Sequence, residues 1–160
     1  MQVHQFMKQQ VISIPETATA LDAAVLFAKH PIGTLPVVTS EQKLVGILYM
    51  RDLLKLMMPG FMELMELIED FDFIVGDFGD YEEKEPTPEM ENMPVQELME
   101  TAVSVTADSG LLRAFAIIIS HNLKDLPVVD ENGRLVGLAS HVDIGTALLA
   151  RWHGHSPQAN

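Results

Sequence analysis

One eighteen-residue stretch occurs twice in this chain, 91 residues apart and without a gap. Residues 35–52 read Leu-Pro-Val-Val-Thr-Ser-Glu-Gln-Lys-Leu-Val-Gly-Ile-Leu-Tyr-Met-Arg-Asp; residues 126–143 read Leu-Pro-Val-Val-Asp-Glu-Asn-Gly-Arg-Leu-Val-Gly-Leu-Ala-Ser-His-Val-Asp. Pro36 pairs with Pro127, Gly46 with Gly137, and Asp52 with Asp143. Repetition at a fixed spacing restricts the architecture, because both copies must fold alike and bury the same kind of surface.

The second copy spells out its local structure. Leu126, Val128 and Val129 make one short apolar strand; Leu135, Val136 and Leu138 make another. Residues 130–133 form the turn between them, with Asn132-Gly133 supplying the positive-φ positions of a tight hairpin. Gly137 interrupts the second strand, as glycine does where a backbone or ligand comes close. Ser140 and Asp143 then open a helix predicted over residues 144–150, a hydroxyl and a carboxylate beside free amide donors.

Upstream of each hairpin the pattern also recurs. Residues 11–14 predict a strand closed by Pro15, and Thr19 with Asp22 predicts a capping box. An alanine-rich helix over residues 20–30 follows, with Leu21, Ala24, Val25 and Ala28 on one face. A helix over residues 51–57 ends the first copy. In the second, residues 103–105 are the strand, Ser109 the cap and 111–121 the helix. Pairing Thr19 with Ser109 and Ala24 with Ala114 requires a spacing of 90, which puts a one-residue loop difference between cap and hairpin. Each copy is strand, helix, strand, strand, helix. Three short strands and two helices bury too little surface to stand alone. The expected fold is α+β, two repeats packed sheet to sheet about a pseudo-twofold axis. The boundaries are repeat 1 at 1–57, an insert at 58–96, repeat 2 at 97–150 and a flexible tail at 151–160.

In the insert, Phe61, Leu64, Met65, Ile68 and Phe71 fall at the spacing of an amphipathic helix, and residues 81–88 read as irregular. Residues 63–91 hold twelve acids against one lysine. They form a solvated negative surface or, more sharply, a Mg²⁺ or Ca²⁺ site or a docking arm. The formal charge of −13 argues against nucleic acid and anionic membranes as partners. No apolar run approaches the roughly twenty residues of a membrane span, and the polar first ten residues lack an apolar signal segment. With no cysteine, thiol chemistry and disulfides are excluded; a cytoplasmic setting is expected. His30 and His121 sit at matching helix ends and His153 and His155 in a polar tail, which suits structural and solvated roles. No nucleophile–base set or phosphate loop is present, so no enzyme is expected.

The strand, the Thr or Ser cap, the alanine-rich helix, the apolar-Pro-Val-Val hairpin and the trailing Gly and Asp resemble a tandem pair of CBS domains, over residues 7–57 and 97–150. The resemblance implies a β-α-β-β-α repeat doubled into a pseudo-twofold pair. It also implies a regulatory role in which AMP, ADP, ATP or S-adenosylmethionine binds between the repeats. Such pairs commonly join as homodimers and act on a partner protein, here unidentified. Carried onto this sequence, the main cleft takes Leu138, Ser140, His141 and Asp143 with Thr19 and Ala24, flanked by Lys124 and Asp125. An aspartate at a helix start can accept from both ribose hydroxyls, and a serine with helix amides can donate to phosphate. The second cleft takes Ile47, Tyr49, Arg51 and Asp52 with Ser109 and Ala114, and Thr34 beside the base. Tyr49 stands where the family pattern has Ser or Thr, so this cleft is expected to be weaker, altered or empty. Two alternatives stand beside the nucleotide sensor: a Mg²⁺-responsive module acting through the insert, and a structural dimerisation module with empty clefts. Thr19, Ser109, Ser140 and Asp143 are also explicable as helix caps alone.

Overall fold

Two short, mostly buried apolar strands, of five and six residues, form the hairpin at the centre of each repeat's sheet. The computed structural model describes residues 1–58 and 85–153. Repeat 1 comprises β1 (Ile14–Pro15), α1 (Ala20–Lys29), β2 (Thr34–Val38), β3 (Leu44–Tyr49) and α2 (Met50–Lys55). Two short helices follow, α3 (Pro88–Glu91) and α4 (Val95–Leu98). Repeat 2 comprises β4 (Val105–Thr106), α5 (Leu111–Ser120), β5 (Asp125–Val129), β6 (Leu135–Ser140) and α6 (His141–Leu149). The sheets run β1-β2-β3 and β4-β5-β6, with the first pair of each parallel and the second antiparallel.

The spacing of 91 extends through both repeats. Ile14 pairs with Val37 as Val105 pairs with Val128, and Thr34 with Tyr49 as Asp125 with Ser140. Ala20, Ala23 and Phe27 are buried beneath α1, and their mates Leu111, Ala114 and Ile118 beneath α5. The expected 90-residue pairing of the caps is therefore wrong. Gly110 is the N-cap of α5 without a side-chain bond, and the Ser109 hydroxyl instead lies 3.2 Å from that of Thr106. The face of α1 named from periodicity is also displaced: Leu21 and Val25 are about half exposed, while Ala20, Ala23 and Phe27 face the core. The first strand of each repeat is shorter and later than predicted, and α6 begins at His141, directly after its Ser140 cap. In the 130–133 turn only Gly133 takes positive φ.

The one-residue difference lies before the first strands, where the leaders of the two repeats cross over. A 3-10 turn at Val3–Gln5 packs on repeat 2, with Val3 fully buried in its core; α4 packs on repeat 1, with Val95 fully buried there. Lys8 exchanges backbone hydrogen bonds with Leu138, both 2.9 Å, as Glu100 does with Ile47 at 2.8 and 2.9 Å. Met7 lies over Gly137 and Met99 over Gly46, so closely that a Cβ on either glycine would collide with the methionine Sδ. The close approach expected at those glycines is thus made by the other repeat's leader.

The hairpins meet across the pseudo-axis. Leu44 N donates to Gly133 O at 3.0 Å and Leu135 N to Gln42 O at 2.9 Å. Gln42 (φ 64°) and Gly133 (φ 77°) are mates, both in the left-handed conformation, and their carbonyls accept the two crossing bonds. At the other end the Thr34 hydroxyl donates to Asp125 Oδ2 at 2.7 Å. The amphipathic helix predicted around residues 61–71, most of the acidic run and residues 154–160 lie outside the described residues. Of the insert, α3 is described: the Thr87 hydroxyl accepts from Met90 N at 3.3 Å, and Ala20 N donates to Met93 O at 2.8 Å.

Candidate functional site

The last residue of β6 is also the cap of α6. Ser140 Oγ accepts from Asp143 N at 3.0 Å, and Asp143 Oδ2 accepts from Ser140 N at 3.1 Å and from Ser140 Oγ at 2.7 Å. Both bonds to the carboxylate land on Oδ2. Asp143 Oδ1 therefore has no hydrogen-bond partner among the described residues, and the half-buried group keeps a vacant acceptor at the start of a nine-residue helix. A carboxylate so held is preorganised, since its orientation is fixed by protein donors while one oxygen keeps its capacity to accept.

Neighbouring residues are placed by the same ladder. Asp125 opposes Ser140 in the β5–β6 pair. His141 N donates to Lys124 O at 2.9 Å, and its Nδ1 lies 3.4 Å from the same carbonyl. Leu138, two residues before the cap, is bridged by Lys8. The fold thus brings Lys124, Asp125, Leu138, Ser140, His141 and Asp143 together. The backbone of Lys8, from the leader that belongs by chain order to the other repeat, pairs beside them with Leu138.

Thr19 and Ala24 lie on repeat 1. Thr19 caps α1: Asp22 Oδ2 accepts from Thr19 N at 2.9 Å and Thr19 Oγ1 at 3.1 Å, and Thr19 Oγ1 accepts from Asp22 N at 3.4 Å. No hydrogen bond among the described residues joins Thr19 to Ser140 or Asp143. Ala24 lines an apolar groove of about 120 Å³ with Leu53 on α2, Met57 just beyond it and Met90 on α3.

The matching position on repeat 1 is built differently. Tyr49 replaces the serine and is buried, and the Arg51 guanidinium stacks 4.4 Å from its ring centroid. Arg51 Nη2 bonds Glu100 Oε1 at 3.1 Å, and Arg51 Nε lies 3.7 Å from Asp52 Oδ1. Asp52 Oδ2 accepts from Tyr49 N at 3.4 Å. Burial, then the carboxylates of Glu100, Asp52 and Asp125, push the Tyr49 hydroxyl above the ordinary tyrosine range, against an opposing pull from Arg51. Ile47 lies in β3 beside Glu100, and Thr34 opposes Tyr49 while bonding Asp125, so residues expected to serve separate clefts meet at the pseudo-axis. Two expected members are misplaced. Ala114 is fully buried in the core of repeat 2, and Ser109 is not a cap; the true mate of Ala24 is Phe115.

Among the described residues no group of three or more His, Asp or Glu could hold a metal ion, and no helix is long and apolar enough to cross a membrane.

Comparison with known proteins follows the same division of the chain. The sequence model of the CBS domain matches residues 3–59 and 95–150. An uncharacterized protein of Methanocaldococcus jannaschii is 28% identical over 160 residues, covering 93% of this chain and 92% of its own. The structure of CBSX2 in complex with AMP has a TM-score of 0.66 at 25% identity, covering 94% of this chain and 98% of that one. The CBS domain pair of protein MJ0100 from a complex with 5-methylthioadenosine and S-adenosyl-L-methionine shares the fold, with a TM-score of 0.65 at 20% identity over 94% and 98% of the two chains.

Proposed function

The chain belongs to the CBS-domain family, and on that premise we propose that it is a regulatory module without catalysis of its own, binding an adenosine-containing molecule at Ser140 and Asp143. The single observation that carries this is the vacant Oδ1 of Asp143 beside a fixed serine at a helix start. A ribose diol supplies the two donors that such a carboxylate takes. The α6 amides, with Lys124, His141 and Lys8 nearby, suit a phosphate or a 5′ substituent that accepts hydrogen bonds. Ligands described for similar CBS pairs share adenosine and differ beyond the 5′ carbon, which supports AMP, ADP, ATP and S-adenosylmethionine as the class to test. The resemblance to other CBS pairs supports Thr19 and Ala24 as the facing wall of this cleft.

Regulation requires the ligand to favour one arrangement of repeats or subunits over another. A homodimer supplies such an arrangement. Leu112 and Ile119 on α5 and Val142 and Leu149 on α6 are each more than half exposed, and Leu21, Val25 and Leu54 extend apolar surface onto the helices of repeat 1. Surface of this kind marks an interaction site. The regulated partner is a further protein in the same, cytoplasmic, compartment.

Calorimetric titration with AMP, ATP and S-adenosylmethionine tests the site. Saturable binding by at least one compound is expected, and Ser140→Ala with Asp143→Ala should abolish it while the chain stays folded. Unchanged affinity in that double variant would reject the site.

A further inference from the structure

We infer that the cleft position at Tyr49 and Asp52 is permanently filled by the chain's own side chains, so that the module takes one adenosine ligand per chain, at Ser140 and Asp143 only. The inference rests on the proposed function and adds to it the stoichiometry and the residues that set it.

The two positions share one backbone. Tyr49 and Ser140 end equivalent strands in equivalent registers, and Asp52 and Asp143 both accept from the backbone N–H three residues back. What differs is the use of the second carboxylate oxygen. Asp143 Oδ1 is vacant, whereas Asp52 Oδ1 faces Arg51 Nε at 3.7 Å, so a ribose diol would have to displace a cation. That cation is itself held twice more, by Glu100 at 3.1 Å and by the Tyr49 face at 4.4 Å. Stacking between a guanidinium and an aromatic ring is favourable, so the Arg51 side chain is anchored on both its charge and its face.

Volume and charge act in the same direction. The Tyr49 ring is buried where repeat 2 has a hydroxymethyl group, and Asp52 keeps little exposure beneath it. The basic neighbours of the main cleft have no counterparts here. Lys124 corresponds to Gly33, His141 to Met50 and Lys8 to Glu100. A phosphate approaching this position meets the carboxylates of Glu100 and Asp125, and the adjacent Arg51 is already paired with Glu100 and Asp52.

Calorimetric titration with AMP, ATP and S-adenosylmethionine reads the count directly. The wild-type chain should bind one equivalent of the compound it accepts. Tyr49→Ser with Arg51→Val, which copies the residues of the other repeat, should bind two. Because Tyr49 is buried, Arg51→Val with Glu100→Lys serves as a second variant that leaves the ring in place; it should weaken the closure and give a second, lower-affinity equivalent. Two equivalents in the wild type, or a single equivalent in both folded variants, would overturn the closure while leaving the main site intact. No binding by any of the three chains would overturn the proposed function and this inference with it.

Discussion

Asp143 and Asp52 show how far one side chain is decided by its neighbours. Each caps a helix, but the first keeps an oxygen with no partner, whereas Tyr49-Met-Arg51 sets a guanidinium 3.7 Å from the corresponding oxygen of the second. Loss of the cap hydroxyl in Ser140→Ala should cost about 0.5–2 kcal/mol. Ser109→Ala, which removes no cap, should cost less; chemical denaturation of both variants makes the comparison. Tyr49 gives a pH test. Its raised folded-state pKa means that its contribution is fully present below the unfolded value and is lost as pH rises through the folded one. Stability should therefore fall in the alkaline range above about pH 10, and Tyr49→Phe should flatten that fall in thermal unfolding scans. At this scale the sequence was legible where chemistry is local. The Thr19–Asp22 and Ser140–Asp143 boxes follow from a hydroxyl and a carboxylate three residues apart. Ser109 misled because a hydroxyl near a helix start looks like a cap whether or not its backbone stands at the cap position.

The hairpins and helices were legible as elements because their repeat is gapless, but the leaders were not. Met1-Gln-Val-His-Gln-Phe-Met7 and Met93-Pro-Val-Gln-Glu-Leu-Met99 carry the same Met-x-Val-x-x-apolar-Met pattern at a spacing of 92, so a signal existed in the sequence. It was hidden by the change of spacing and by the crossing, since each leader is buried in the repeat that does not follow it. Crossing makes a specific prediction. Val3→Ala should remove about 2 kcal/mol of apolar burial from repeat 2. Hydrogen exchange should then quicken first in β4–β6 and α5, not in the strand that follows Val3 in sequence. Val95→Ala should show the converse. Gly46→Ala should be costly as well, by about 1–3 kcal/mol, since its new methyl meets Met99 and the Glu100 carbonyl; denaturant midpoints give the loss. Helix faces were the other failure. Alanine and leucine cover most of α1, so periodicity alone had two candidate stripes, and packing of β2 and β3 selected the one through Ala23 and Phe27.

For the whole molecule, two half-sized sheets become one unit through few contacts of high symmetry. The crossed leaders, the paired bonds at Gln42 and Gly133, and the Thr34–Asp125 bond tie the repeats together. Symmetry of the frame with asymmetry of the side chains underlies the proposed difference between the two cleft positions. The apolar helical surface predicts self-association: Leu112→Glu with Ile119→Glu should shift the sedimentation coefficient to that of a monomer without lowering helical content. The central claim is adenosine binding at Ser140 and Asp143, and thermal unfolding against AMP, ADP, ATP, S-adenosylmethionine and Mg²⁺, each alone, tests it most directly. A ligand at roughly a hundred times its dissociation constant adds about 2.7 kcal/mol, raising the midpoint of a chain this size by about 5–10 °C. The account predicts such a rise with at least one adenosine compound, absent in Ser140→Ala with Asp143→Ala. A rise with Mg²⁺ alone, or an equal rise in the double variant, would contradict it.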